Sequence, residues 1–172
     1  NITQYRKEVK KAIYNKLILV NSKLAINDKN SILLFDTITI VPSKKSYRLE
    51  LNEKGKFILS EINESESSKK IAKVIDKKIL KGKKAQLNLS DGRNYISNVK
   101  CNVGDSVVVD LKNKKIEKCL ALKEKSDVFV FAGKHAGKKG KIEKLKTERK
   151  MAKIKTKDGD VNVLIKQIIV VE

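Results

Sequence analysis

From Tyr47 onward the sequence returns repeatedly to one unit: a short run rich in Val, Ile and Leu, then a turn. "SYRLEL", "FILSEI", "KAQLNLS", "RNYISN" and "DSVVVDL" are such runs, separated by "NEKGK", by Asp91-Gly92 and by Val103-Gly104-Asp105. Apolar runs bounded by Gly, Asn and Asp read as short strands joined by tight turns. Between them, "NESESSKKIAKVIDKK" offers Asn63 or Ser65 as the cap of a short helix. Residues 120–172 then repeat the unit as "DVFVFAG", "KKGKIEKL", "MAKIKTK", "VNVLI" and "IIVVE", with Asp158-Gly159 as a hairpin turn between the third and fourth. A sheet that small buries a core only by curling on itself, so a small closed barrel is expected.

The first 43 residues follow a different pattern. "QYRKEVKKAIYNK" places Tyr5, Val9, Ala12 and Ile13 at helical spacing, with Arg6, Lys7, Lys10 and Lys11 on the remaining surface. "LILV" and "KLAI" flank Asn21-Ser22 as a hairpin turn, "SILLFDTITIV" adds a strand, and Pro42 closes the segment. The expected fold class is α+β, mostly β and modular, divided as 1–43, 44–118 and 119–172.

Charge decides what such a surface faces. The chain has 40 Lys and Arg against 20 Asp and Glu, a net charge of +20. The three segments carry +4, +9 and +7, so no single tail accounts for it. A bias toward lysine in the source proteome explains the scarcity of Arg, but not a two-to-one excess of bases over acids. A polyanion, and nucleic acid first, is the partner this composition fits. The apolar stretches are too short to span a membrane. Cys101 and Cys119 have no CxxC spacing and a single distant His, so they read as core cysteines with no metal site. With no signal peptide the compartment is expected to be the cytosol, and because Asn1 is not an initiator a processed or missing N-terminus is expected.

"GKHAGKKGKI", residues 133–142, packs three glycines, four lysines and the only histidine between two apolar runs. A P-loop needs G-x-x-x-x-G-K-[ST] and a following helix; here no Ser or Thr follows Lys139 and the next element alternates like a strand. Two readings remain. In one, Gly133, Gly137 and Gly140 let consecutive amides line an anion site ringed by Lys134, Lys138, Lys139 and Lys141, which would position an RNA backbone. In the other, the glycines only turn the chain. His135 has no acid or nucleophile at a recognisable spacing, and either stacks near RNA or has no role.

"DVFVFAGKHAGKKGKIEKL" resembles the KOW motif, the strand, loop and strand that open a Src-homology-3-like barrel in ribosomal proteins and transcription elongation factors, with Gly137 at its central glycine. Ahead of it, "YRLELNEKGKFILSEI", "KAQLNLSDGRNYI" and "VGDSVVVDL" look like the central domain of the archaeal and eukaryotic small-subunit ribosomal protein family S-four-e. "EVKKAI" followed by "LVNSKLAINDKNSILLFDTITIV" resembles that family's S-four-type RNA-binding module, here partial because its first helix is absent. Asn21-Ser22 stands where the family usually has a glycine, and Ala132 where the loop usually has a second one. The resemblance implies a structural constituent of the small ribosomal subunit in the cytoplasm. Its partners would be small-subunit ribosomal RNA and neighbouring ribosomal proteins, with no cofactor and no small-molecule substrate. The rival is a KOW-bearing transcription elongation or ribosome-assembly factor that binds RNA transiently.

An enzyme reading has one foothold. S-four-type modules also accompany RNA pseudouridine synthases, which carry a catalytic Asp in a G-R-L-D context, whereas this chain has Asp91-Gly92-Arg93-Asn94. The plain reading is a hairpin turn displaying Arg93, whose guanidinium suits a phosphate. No catalytic residue is expected.

Overall fold

The computed structural model describes residues 3–81, 84–146 and 148–171. Helix α1 (Arg6–Tyr14) opens the described chain, with Glu8 in its first turn accepting from the Gln4 amide at 2.9 Å and Lys11 in its last turn, charges that suit the helix dipole. Lys16 follows it at φ 57° and turns the chain away. Val9, Ala12 and Ile13 are half-buried, while Tyr5 is exposed, so the apolar stripe is narrower than its spacing implied.

The first sheet contains β1 (Ile18–Val20), β2 (Lys23–Leu24), β3 (Thr37–Ile40), β4 (Lys45–Leu51) and β5 (Phe57–Ile62), in the order β2-β1-β3-β4-β5 and antiparallel throughout. Asn21 and Ser22 form the two-residue turn with Val20 opposite Lys23. "SILLFDTITIV" is a strand only in its second half, because Phe35 adopts φ 63° and drops into the core. Residues 43 and 44, the expected division, fall in the β3–β4 hairpin, where Ile40 faces Lys45. β4 and β5 therefore hydrogen bond into the same sheet as β1–β3.

The serine and glutamate cluster yields a single turn, α2 (Glu64–Ser67), with Asn63 as its cap residue. It gives way to the eleven-residue strand β6 (Lys69–Ile79). β6 joins β7 (Ala85–Leu89), β8 (Asn94–Ser97), β9 (Ser106–Asp110) and β10 (Lys115–Leu120) in the order β10-β9-β6-β7-β8. β6 is a strand because both of its faces find cover. Ala72 and Val74 pack with Val107 and Val109 in one core, while Ile71 and Val108 join the core of the C-terminal sheet. β10 has no counterpart in the runs read from sequence, and the expected division at 118 and 119 lies within it. Cys101 is buried in the core of this sheet with Cys119 packed against it, as expected of core cysteines, and the two are joined as a disulfide with Cα atoms 6.0 Å apart, a pairing the sequence did not suggest.

All five C-terminal runs form strands: β11 (Asp127–Val130), β12 (Lys139–Lys146), β13 (Met151–Thr156), β14 (Gly159–Leu164) and β15 (Ile168–Val170). Their order is β14-β13-β12-β11-β15, with a 3-10 turn at Ile165–Gln167 before β15. Val128, Val130, Ile142, Ile154, Val163 and Ile168, drawn from every strand, converge on one core. A further cluster ties this sheet to the first: Phe35 and Leu51 pack with Phe129 and Ile169, the two phenyl rings edge to face at 5.5 Å.

Candidate nucleic-acid interface

The glycine and lysine loop between β11 and β12 is wound by its own backbone. The Ala136 amide donates to Gly133 O at 3.1 Å, the Gly137 amide to Val130 O at 2.7 Å, and the Lys138 amide to His135 O at 3.2 Å. Three consecutive amides are thus satisfied inside the loop, so the anion-lining role expected for them is filled by the protein's own carbonyls.

The glycines are explained by close packing. Gly137 is buried at φ 90°, and a Cβ there would penetrate the carbonyl of Asn52, in the turn between β4 and β5. Gly55 in that turn, at φ 73°, in turn faces the backbone of Ala136. The loop is seated on the first sheet's hairpin. At Gly133 a Cβ would meet only the movable end of the Gln167 side chain, and it is the positive φ of 84° that asks for glycine. Gly140 lies within β12, flat against the Lys155 carbonyl. These contacts favour the reading in which the glycines serve the fold.

The lysines point elsewhere. Lys134, Lys139 and Lys141 are exposed, and Lys138 and His135 are half-buried. Lys138 Nζ lies 2.9 Å from Asp158, holding that carboxyl below its ordinary range, and Lys139 Nζ lies 3.9 Å from Glu50 and 5.9 Å from the centre of the Phe129 ring. Lys141 sits directly opposite Lys155 across the β12–β13 ladder. Like charges placed opposite one another cost stability, which the Asp127 carboxylate 3.9 Å from Lys141 Nζ offsets in part. Lys138 and Lys139 border a cleft of about 640 Å³ whose other walls are the β4–β5 and β13–β14 turns. Those turns bring Lys54, read from the sequence as part of a turn, and Lys157, read as the end of a strand, beside the acids Glu50, Glu53 and Asp158; the signal for them is tertiary, the seating of Ala136 on Gly55.

A second basic group forms around α1. Lys7, Lys10 and Lys11 are exposed on it, and Arg6 Nε is held 2.6 Å from Asp28, lowering the Asp28 carboxyl. Arg93, in the β7–β8 turn, borders the same 440 Å³ cleft as Val9 and Ile13 of the helix. Arg93 and α1 are therefore brought together, and the loop lysines assemble around a different cleft. Asp91, the one acid an RNA-modifying reading could use, is committed elsewhere: its Oδ2 accepts from Lys70 Nζ at 2.8 Å with both side chains buried, and its Oδ1 accepts from the Arg93 amide at 3.1 Å. Among the described residues no cluster of His, Cys, Asp and Glu is arranged to hold a metal.

A sequence profile of the ribosomal family S4e matches residues 43–116. The small ribosomal subunit protein eS4 of Methanocella arvoryzae is 32% identical over 168 residues, covering 95% of this chain and 71% of that relative. The chain belongs to the S4e family. The eS4 protein of Methanothermobacter thermautotrophicus is 32% identical over 143 residues, 83% of this chain and 59% of the relative. The crystal structure of the 30S ribosomal protein S4e from Thermoplasma acidophilum matches with a TM-score of 0.81 at 25% identity, covering 96% of this chain and 85% of that one.

Two positions where the resemblance leads one to expect glycine have a local explanation in this S4e chain. Asn21 and Ser22 both take positive φ, 51° and 61°, and Asn21 offsets part of the strain by accepting from the Thr37 amide through Oδ1 at 3.2 Å. Ala132 is not among the residues of positive φ, so a side chain is tolerated there without strain.

Proposed function

We propose that this protein is a structural constituent of the small ribosomal subunit, bound to ribosomal RNA in the cytoplasm and acting in translation without catalysis. The observation that carries this is the match along 95% of the chain to a relative named as small ribosomal subunit protein eS4. The net charge of +20 supplies the affinity, through neutralised phosphates and released counterions. In this reading residues 1–43 act as a partial S-four-type module, 44–118 as the family's central domain and 119–172 as a Src-homology-3-like KOW barrel. The β3–β4 pairing makes the first two continuous in one sheet.

RNA would be met by two groups: Arg6, Lys7, Lys10, Lys11 and Arg93 around the helix, and Lys134, His135, Lys138, Lys139 and Lys141 at the loop. Gly137 and Gly140 serve that second surface by fixing the loop against the Asn52 and Lys155 backbone, and Gly133 by its positive φ. Neighbouring ribosomal proteins are the other partners. The relatives' name selects a resident subunit over a transient KOW-bearing factor.

Sucrose-gradient fractionation of lysate at moderate and then high salt tests this. One copy per mature small subunit, retained through the salt wash, is the expected result. Appearance only in precursor or polymerase fractions overturns it.

A further inference from the structure

The C-terminal segment concentrates its charge in one hairpin. Residues 139–157, which include β12 and β13, hold nine Lys and Arg against Glu143 and Glu148, and the remainder of 119–172 sums to zero. Ile142, Ala152 and Ile154 turn into the core, so Lys141 and Lys155, opposite each other, face outward. Strict alternation after Ile142 would aim Lys144 at that core. The ladder slips between them instead: Glu143 is the extra residue, Leu145 takes the core side beside Ala152, and Lys144 and Lys146 join the outer face. A bulge of this kind re-aims side chains, and here it continues a row of cations that would otherwise break.

The acids nearby do not cancel that row. Lys153 Nζ, opposite Lys144 on the ladder, lies 2.5 Å from Glu143 and 2.7 Å from Asp160, which commits both carboxylates. Lys144, Lys146, Arg149 and Lys150 are exposed, and among the described residues none of them has a carboxylate partner. Glu148 lies beside Arg149, and Glu124, between Lys123 and Lys125, accepts from the Leu145 amide at 3.4 Å. With all of these included, seven cations stand against four acids. In the β11–β12 loop, by contrast, Lys138 faces Asp158 and Lys139 faces Glu50. Lys144, Lys146 and Arg149 border a dent of about 400 Å³ at the hairpin tip.

We propose that the outer face of the β12–β13 hairpin, led by Lys144, Lys146, Arg149 and Lys150, is a further RNA-backbone contact, separate from the glycine and lysine loop; this rests on the ribosomal assignment above. Phosphate asks only for charge, whereas a protein partner asks for apolar anchors. The two strands offer one on that face, Met151 opposite Lys146. Lys144 and Lys146, two residues apart and so roughly 6.6 Å along the strand, meet neighbouring phosphates without reading their bases.

The test combines Lys144→Gln, Lys146→Gln, Arg149→Gln and Lys150→Gln in the full chain and follows its affinity for purified small-subunit ribosomal RNA across a salt titration. If all four cations meet phosphate, the slope of log affinity against log salt shrinks by about 3–4; a loss of at least about 2 is expected, and a smaller one overturns the proposal. A second protein with Lys144→Arg, Lys146→Arg and Lys150→Arg keeps the charge and should keep the native slope. A reduced slope there would make the Gln effect structural and overturn the proposal as well. The native chain separates the two readings: if it binds the RNA and sediments with small subunits while the Gln protein matches its slope, the assignment stands and the hairpin contact is wrong. If the native chain does neither, the assignment falls and the proposal with it.

Discussion

Lys70 Nζ and Asp36 Oδ1 meet at 2.6 Å with side chains only 3% and 5% exposed, joining the central sheet to the segment that enters β3. The same ammonium donates to Asp91 at 2.8 Å, while Asp36 Oδ2 accepts from the Leu33 amide at 2.8 Å. Asp36 Oδ1 lies off the line of a hydrogen bond and is held by charge alone. One cation is thus shared by two buried carboxylates from two sheets, and Arg93 Nε stands 3.8 Å from the second of them. Lys70→Met leaves Asp36 without a counter-charge and Asp91 with only Arg93, and is expected to cost about 3–5 kcal/mol, read from urea unfolding at neutral pH. A loss below about 1 kcal/mol would show the site to be hydrated and the linkage weak.

Gly137 and Gly92 make a matched pair of substitutions. Both have positive φ, 90° and 79°, but a Cβ at Gly92 meets nothing within 4 Å, whereas one at Gly137 enters the Asn52 backbone. Gly92→Ala should therefore cost only the left-handed strain, about 1–2 kcal/mol. Gly137→Ala should cost clearly more, because the loop must lift off the β4–β5 turn. Equal losses in denaturant unfolding would mean that the loop is not seated there.

Lys73 carries the pH dependence. Its Nζ is buried between β6 and the C-terminal sheet, donating to Ile168 O at 2.7 Å and to Ile165 O, and burial lowers its pKa from 10.5 to about 8. Below about pH 8 both the folded and unfolded chains hold the proton. Between about 8 and 10.5 the folded chain has released it and the unfolded chain has not, so the unfolded state binds more protons and stability rises with pH. Unfolding of the native chain and Lys73→Met, compared at several values from pH 7 to 10, should show this rise in the native chain and its absence in the variant.

Replacing Lys134, Lys138 and Lys139 together by Ala removes three cations from the loop and none of its backbone bonds. Affinity for RNA should fall about equally across sequences. The slope of log affinity against log salt should shrink by about 2–3, near 0.9 per lost phosphate contact on duplex and 0.7 on single strands. An unchanged slope, measured by salt titration, would remove the loop from the interface.

The alternation of Ile142 and Ile154 with polar neighbours made β12 and β13 legible, whereas β11 and β15 were legible as continuous apolar runs, because Phe129 and Ile169 on their second face pack against Phe35 and Leu51. β6 was not legible: Lys73 and Ile71 on its second face are covered by another sheet, and the Ser and Glu cluster ahead of it mimics a helix start. "KIEKCL" hides β10 behind charge. The loop's lysines were legible as cations, but the purpose of Gly137 was not, since its neighbour Asn52 lies 85 residues earlier. Asp91 reads from the sequence as an ordinary turn residue, since the Lys70 that buries it comes from another strand 21 residues earlier.

Ser106 Oγ accepts from the Val170 amide at 2.8 Å, directly opposite Lys73 and its two carbonyl contacts on the neighbouring strand, so the central and C-terminal sheets are riveted by polar bonds beside a shared apolar core. Cations mounted on sheets joined this way keep fixed separations. The entropy of arranging them is therefore lost when the chain folds and not again at each encounter with RNA, and a nucleic acid gains from all of them at once only if its own phosphates already match that spacing.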